Sequence, residues 1–117
     1  MKMIITEADI NEFLVGRFYI EINADSDPFP LNDYGADGMK REINFSFWAE
    51  KRIRQVVRND DGTISTPSLY GTIWRVQTKA EFVHDWNKYD ENESRYCRLL
   101  TSKELEKVFK WFASRQF

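Results

Sequence analysis

Hydrophobic and polar residues alternate with period two in two stretches of the chain, and this pattern predicts β-strands. The first stretch is residues 18–23, and the second is residues 42–58, where apolar side chains fall mostly at odd positions. Because successive side chains of a strand point to opposite faces, each stretch is expected to bury one face and to expose the other. The exposed face of the second stretch is predicted to carry Trp48, Arg52, Arg54 and Arg58.

Turn residues divide the rest of the predicted sheet. Residues 59–62 read Asn-Asp-Asp-Gly, a hairpin signal, because Asn, Asp and Gly tolerate the positive φ that tight hairpin turns require. The returning strand is interrupted at Pro67. Residues 69–76 are partly apolar on both faces, which predicts an interior strand, and residues 96–100 are a candidate for another short strand.

Three segments carry helix signals. Thr6 and Asp9 form a capping-box pattern ahead of a short N-terminal helix that ends near Gly16. Residues 79–89 follow a second such pattern and fit either a helix or a strand. Residues 101–104, Thr-Ser-Lys-Glu, begin an amphipathic C-terminal helix that places apolar residues on one side and lysines on the other: Leu105, Val108, Phe109 and Phe112 against Lys103, Lys107 and Lys110.

These elements predict one α+β domain over residues 1–117, with an antiparallel sheet or meander of about four to five strands between the two terminal helices. Residues 24–39 break the periodicity. They contain four Asp residues and no Lys or Arg, and they are expected to form a long acidic loop rich in Asp, Pro and Gly. A loop of this length in a compact domain is often functional.

Composition excludes several classes of protein. The chain of 117 residues has a net charge of −2, one Cys and one His, so neither a disulfide scaffold nor a zinc site of the His/Cys type can form. Apolar runs are no longer than three residues, far short of the roughly 20 that span a bilayer. We therefore expect a protein of the cytoplasm that does not enter the membrane.

Patterns that carry catalysis are weak in this sequence. Cys97 and His84 are the one possible thiol–imidazole pair, and their settings favour ordinary structural roles, so no catalytic residue and no cofactor is predicted. The carboxylates of the acidic loop could contact a partner or a divalent metal ion through Asp25, Asp27, Asp33 and Asp37. A calcium-loop pattern fails there, because Pro30 and Ala36 stand where Gly and Glu are required.

Two surfaces suggest binding. The first is the face with Trp48 and the three arginines, since aromatic and guanidinium groups are enriched at protein interfaces and also suit nucleic acids. The second is one edge of the C-terminal helix, where three residues follow each other at i, i+4 and i+8: Lys107, Trp111 and Arg115. The alternative, in which neither surface binds a partner, is that these cations pair with acidic segments of the same chain.

The leading hypothesis is a small, non-catalytic protein-binding module of the inhibitor, immunity or adaptor type, which acts by occluding a partner protein. Proteins of this kind are often encoded by phages and mobile elements. The first alternative is a nucleic-acid-binding protein that uses the Arg and Trp face with the basic C-terminal helix, although the isoelectric point of about 5.5 argues against it. The second alternative is a metal-dependent enzyme that uses the acidic loop.

Overall fold

A computed structural model of the protein describes residues 4–23, 48–88 and 95–115. In chain order its elements are α1 (Glu7–Asp9), a first π-helical turn (Ile10–Leu14), β1 (Phe18–Asn23), a second π-helical turn (Trp48–Arg52), β2 (Ile53–Gln55), β3 (Val57–Arg58), β4 (Ile64–Ser65), β5 (Val76–Gln77), α2 (Lys79–Lys88), β6 (Arg95–Leu99) and α3 (Ser102–Arg115). The strands form two antiparallel sheets of three strands each, in the orders β2-β1-β6 and β3-β4-β5. The predicted α+β class is confirmed.

The N-terminal helix forms as its capping signal predicts. The backbone N–H of Thr6 donates to Asp9 Oδ2 at 2.8 Å, and the N–H of Asp9 donates to Thr6 Oγ1 at 3.4 Å. Ile10 and Leu14 then point into the core. Gly16 ends the helical segment at a φ of 87°, a conformation that residues with a Cβ rarely adopt.

Both faces of the first sheet contribute residues to the core. Its central strand β1 pairs Ile20 with Ile53 of β2 and Glu21 with Cys97 of β6. The residues on one side of this sheet pack with α3, in a cluster whose fully buried members include Ile20, Ile53 and Val108. On the other side Tyr19 packs with two aromatic residues of α2. The first sheet is therefore covered by a helix on each face.

The second sheet is built around the predicted hairpin. The backbone N–H of Asn59 donates to the carbonyl of Thr63 at 2.8 Å, and Gly62 adopts a φ of 86°. This confirms the turn at residues 59–62, which joins β3 to β4. β5 then pairs with β4 and forms one edge of this sheet.

Residues 48–58 do not form one continuous strand, so that prediction is wrong over this range; residues 42–47 lie outside the described residues. Trp48 and Ala49 are both buried, which a two-sided strand with one exposed face does not allow, and the chain makes a π-helical turn there. The strand also breaks at Val56, which is fully buried. Its N–H donates to Arg17 and its carbonyl accepts from Gly16, so the chain bends there and passes from the first sheet to the second.

Residues 79–88 form a helix, which decides between the two structures that the sequence allowed. Phe82 and Trp86, four residues apart, are its buried residues. Thr78 begins this helix with a reciprocal capping box, in which its N–H donates to Glu81 Oε1 at 3.0 Å. The predicted strand near residues 96–100 and the C-terminal helix are also confirmed, as β6 and α3.

Candidate protein-binding surface

Trp48 lies inside the molecule, so the prediction that it projects from an exposed strand face is wrong. It is 1% exposed and belongs to the core cluster with Ile20, Ile53 and Val108. The cause is the second π-helical turn, which rotates the tryptophan towards β1 and α3 instead of continuing the alternation of β2. Trp48 therefore contributes to folding and offers no surface to a partner.

The three arginines do not share one face either. Arg52 ends the π-helical turn, Arg54 lies in β2 of the first sheet, and Arg58 lies in β3 of the second sheet. Arg54 is half-buried, whereas Arg58 is exposed. The predicted row of guanidinium groups is thus divided among a π-helical turn and two different sheets, instead of following one strand face.

Arg54 is occupied within the chain. Its Nη1 donates to Glu21 Oε2 at 2.8 Å, and its Nη2 donates to the carbonyl of Lys51 at 3.0 Å. Burial disfavours the charged form, but the neighbouring Tyr19 and Glu21 outweigh it and raise the pKa of Arg54. For the Tyr19 hydroxyl, by contrast, burial itself is the main cause of a raised pKa, because it disfavours the phenolate. Both groups therefore keep their ordinary protonation states at neutral pH, with Arg54 charged and Tyr19 neutral.

A cavity of about 130 Å³ lies beside Arg54, between the first sheet and α2. Its charged lining is largely paired: Arg54 with Glu21, and Arg75 with Asp85 at 2.5 Å. Asp85 also accepts from Gln77 Nε2 at 2.7 Å. Because these charges neutralise each other, the cavity has no strong preference for a charged ligand, and we regard it as part of the packing between sheet and helix.

The second predicted surface, at the edge of α3, is only partly in place. Lys107 is exposed, but Trp111 is half-buried and packs against the core cluster that contains Trp48. The side chain of Arg115 is outside the described residues. So are the acidic residues Asp25, Asp27, Asp33 and Asp37, whose predicted role in partner or metal contact stays a prediction.

Among the described residues, a run of exposed apolar side chains that the sequence did not predict lies between the hairpin and α2. In residues 69–76, which were expected to form an interior strand, only Val76 belongs to a strand, so that prediction is wrong. Four large side chains stand in solvent there: Tyr70 (49% exposed), Ile73 (55%), Trp74 (51%) and Val76 (56%). We call these four residues the 70–76 surface.

The base of this surface is firmly held by Ser68, which is buried. The Ser68 Oγ accepts from the N–H groups of Tyr70 and Thr72, both at 3.2 Å. The Ser68 N–H in turn donates to the carbonyl of Thr72 at 3.0 Å, and Gly71 takes a φ of 85° to close the turn. The exposed aromatic residues are therefore presented by a turn that is already ordered.

Neighbouring elements fix two of the exposed rings. The Tyr70 ring packs on Phe112 of α3, with centroids 5.3 Å apart. The Lys51 ammonium lies 4.1 Å from the centre of the Trp74 ring, within cation–π range. Each ring thus keeps one side on the protein and turns the rest to solvent, which limits the entropy lost when a partner covers it.

A signal for this surface was present in the sequence. Residues 69–76 carry apolar side chains at both odd and even positions, and an interior strand was one explanation for that pattern. Turn formers at Pro67, Ser68 and Gly71 offered the other, a loop whose apolar side chains are not covered at all. Sequence alone could not choose, because only the sheet order shows that this segment leads into an edge strand.

Three further observations bear on the class of protein. Among residues 4–23, 48–88 and 95–115, no three His, Cys, Asp or Glu side chains are grouped so that they could hold a metal ion. Within the same ranges, no helix combines the length and the apolar character needed to cross a bilayer. Comparison of the chain with family models, with curated proteins and with solved structures finds no match. The function therefore has to be argued from the surface itself.

Proposed function

We propose that this protein is a non-catalytic protein-binding module of the inhibitor, immunity or adaptor type, and that it covers a partner protein with the 70–76 surface. The observation that carries the proposal is the exposure of Tyr70 and Trp74, each about half in solvent, beside Ile73 and Val76. Scattered single apolar residues are normal on a protein surface, but four large ones exposed within one seven-residue segment mark a candidate interaction site.

The chemistry of the patch also favours a protein partner. Trp and Tyr dominate the binding energy of protein interfaces, because their large rings lose much water and little conformational entropy on contact. The turn around Ser68 holds Tyr70 in place before any partner arrives. An ordered surface of this kind loses less entropy on binding than a flexible loop would.

The alternatives have less support. The nucleic-acid hypothesis relied on a face carrying Trp48 and the arginines together with the basic C-terminal helix; Trp48 is buried and two of the arginines lie in different sheets, so the helix is the part of that hypothesis that keeps its support. The enzyme hypothesis relied on Asp25, Asp27, Asp33 and Asp37, which lie outside the described residues. A phage or mobile-element origin stays an analogy drawn from protein size and type.

The test is affinity capture from the source cell with three forms of the full chain: the natural protein, Trp74→Ala and Phe13→Ala. Phe13 is a matched control, since it is an exposed aromatic residue (38%) of a different element. We expect one or more proteins to be retained by the natural chain and by Phe13→Ala, and to be lost with Trp74→Ala. Calorimetry with the purified partner should then show at least tenfold weaker binding for Trp74→Ala.

An equal yield of every captured protein on Trp74→Ala and on the natural chain would contradict the proposal. Thermal unfolding of all three forms checks that any loss reflects the surface and not the fold. Because Trp74 is half in solvent, its replacement is expected to leave the unfolding temperature nearly unchanged.

A further inference from the structure

The 70–76 surface includes the backbone as well as the side chains. β5 is an edge strand of the second sheet, and after the turn that Gly71 closes, residues 73–75 lead into it without a further turn or bend. Within the part of the chain that the structure describes, the backbone groups of Ile73 and Trp74 make no hydrogen bond. An extended segment with unpaired N–H and C=O groups at a sheet edge is a template on which another strand can pair.

Side-chain exposure agrees with an unoccupied edge. In a strand with one buried face, exposure alternates along the chain. Here Ile73, Trp74 and Val76 are each slightly more than half exposed, and the side chain of Arg75 is 63% exposed, so neither face is fully covered. Edge strands of soluble proteins are usually kept free of exposed apolar residues, because these promote pairing with other chains. This edge instead displays three of them.

An open groove runs beside the same edge. It has a volume of about 440 Å³ and lies between Arg75, Val76 and Gln77 on one side and α2 on the other. Val76 and Ala80 give it an apolar lining, and Glu81 and His84 of α2 border it. A groove next to an unpaired strand accommodates the side chains of an added strand, which is the usual arrangement in β-strand addition.

The Lys51 ammonium beside Trp74 indicates which charge the added strand carries. The Lys51 ammonium lies on the Trp74 ring and forms no ion pair among the described residues. By contrast, the carboxylate of Asp85 is already taken by Arg75 and Gln77. A carboxylate of the partner near Trp74 would therefore meet an available cation, whereas the acids near the groove are engaged.

We propose that the partner supplies an extended segment, apolar at alternate positions and with an Asp or Glu opposite Lys51, which pairs with the backbone of residues 73–76 as a fourth strand of the second sheet. This inference rests on the proposed function and specifies its mode of recognition. Main-chain hydrogen bonds would supply affinity, and the contacts with Trp74 and Val76 would select the sequence.

The probe is a display library of random heptapeptides selected on the full chain. We expect the selected peptides to alternate apolar and other residues and to contain at least one Asp or Glu. Lys51→Ala should weaken these peptides by about threefold, a typical value for one partly exposed charge pair, while the control Lys103→Ala, on the exposed side of α3, should have no effect.

Proline substitutions test the backbone contacts. Successive N–H groups of an extended chain point in opposite directions, so only one of Ile73 and Trp74 can donate to the added strand. We expect proline to weaken binding about tenfold more than alanine at one of the two positions and to match alanine at the other. In the natural chain, amide hydrogen exchange at residues 73–76 should slow on peptide binding, a readout that does not depend on any variant folding.

Four outcomes of the peptide experiments would overturn strand addition. They are a library without binders, binders with apolar residues at helical spacing, proline effects that match alanine at both positions, and unchanged amide exchange in the bound state. Sedimentation that shows a dimer of the chain alone, lost on Ile73→Pro, would also overturn it and assign the edge to a second copy. If the captured partner still depends on Trp74 in any of these cases, the proposed function stands and only the mode of binding fails.

Discussion

Residues 48–58 and residues 69–76 each contain a tryptophan, which is buried in the first segment and half exposed in the second. Each also contains at least one arginine, with Arg54 in the first and Arg75 in the second, and the Lys51 ammonium of the first region lies on the Trp74 ring. In the first region the ring is 1% exposed and the guanidinium is bound to Glu21, while in the second the ring is 51% exposed. The difference follows from topology, because β2 lies in the sheet that α3 covers and β5 lies at an edge of the other sheet.

The comparison shows that residue type alone does not identify a binding surface. A tryptophan beside arginines in the sequence is equally compatible with a core residue and its surrounding ion pairs. What distinguishes the two cases is whether a second layer covers the face on which the ring lies. For this protein that layer is α3 over Trp48, and no described element covers Trp74 on both sides.

The comparison is tested most strongly by truncating the two tryptophans. We expect Trp48→Ala to lower the free energy of unfolding by about 3–5 kcal/mol, because it removes a buried ring and leaves a cavity between β2 and α3. Trp74→Ala should change it by less than about 0.5 kcal/mol, because half of its ring is already in water. Urea denaturation of both variants measures the difference.

Equal costs for the two variants would show that the packing described for Trp48 is wrong. If Trp48→Ala does not fold, Trp48→Phe provides the second measurement, with a smaller loss in the same direction. Trp74→Phe is its matched control and should again be nearly neutral for stability.

The sequence predicted the elements with strong local signals and failed where coverage by other elements decides the outcome. The capping box at Thr6, the turn at residues 59–62 and the amphipathic helix α3 are encoded within a few residues of one another, and all three form. The bend at Val56 is different. It depends on hydrogen bonds with Gly16 and Arg17, which lie 40 and 39 residues earlier in the chain. No local pattern reveals such a contact.

Two capping boxes give a second comparison of one motif in two settings. Glu81 and Glu104 both occupy the third position after a threonine, yet Glu81 is exposed and Glu104 is 2% exposed. Arg98 of β6 makes the difference, since its Nη1 and Nη2 donate to the two oxygens of Glu104 at 2.7 and 2.8 Å. The burial of a glutamate on the first turn of α3 was not predictable before β6 was known to place an arginine there.

Acid should therefore affect the two glutamates unequally. Burial opposes the charge of Glu104, but its hydrogen bonds with Arg98 and with the N–H of Thr101 prevail and hold its pKa below the ordinary value. A lowered pKa in the folded state gives stability that is present above the unfolded pKa of about 4.3 and is lost as the pH falls through the folded pKa. We expect Glu104→Gln to cost about 2–3 kcal/mol at pH 7, because it leaves a half-buried Arg98 without its anion.

Urea denaturation between pH 7 and pH 3 checks this. The cost of Glu104→Gln should shrink as the pH falls below about 4, where the natural side chain also becomes neutral. In the control Glu81→Gln, the lost carboxylate accepted mainly from the backbone N–H of Thr78 in an exposed setting, and the loss should be smaller at every pH. A cost of Glu104→Gln that is independent of pH would mean that the ion pair contributes nothing beyond the hydrogen bonds of the cap.

The smallest expected effect separates Arg54 from Arg58, the two arginines that the sequence placed on one face. Arg54→Ala should cost about 1–2 kcal/mol, since it leaves the half-buried carboxylate of Glu21 without its partner and removes the hydrogen bond to the Lys51 carbonyl. The Arg54 Nε is buried with no acceptor in the described part of the chain, which keeps the loss at the lower end of the range for buried ion pairs. Arg58→Ala, at an exposed position of β3, should change the free energy of unfolding by less than about 0.5 kcal/mol.

A double-mutant cycle of Arg54→Ala with Glu21→Ala isolates the pair, and its coupling free energy should be about 1 kcal/mol. A coupling near zero, with equal costs for Arg54→Ala and Arg58→Ala, would contradict the ion pair described for Arg54. It would favour the solvent-exposed row of arginines that the sequence predicted.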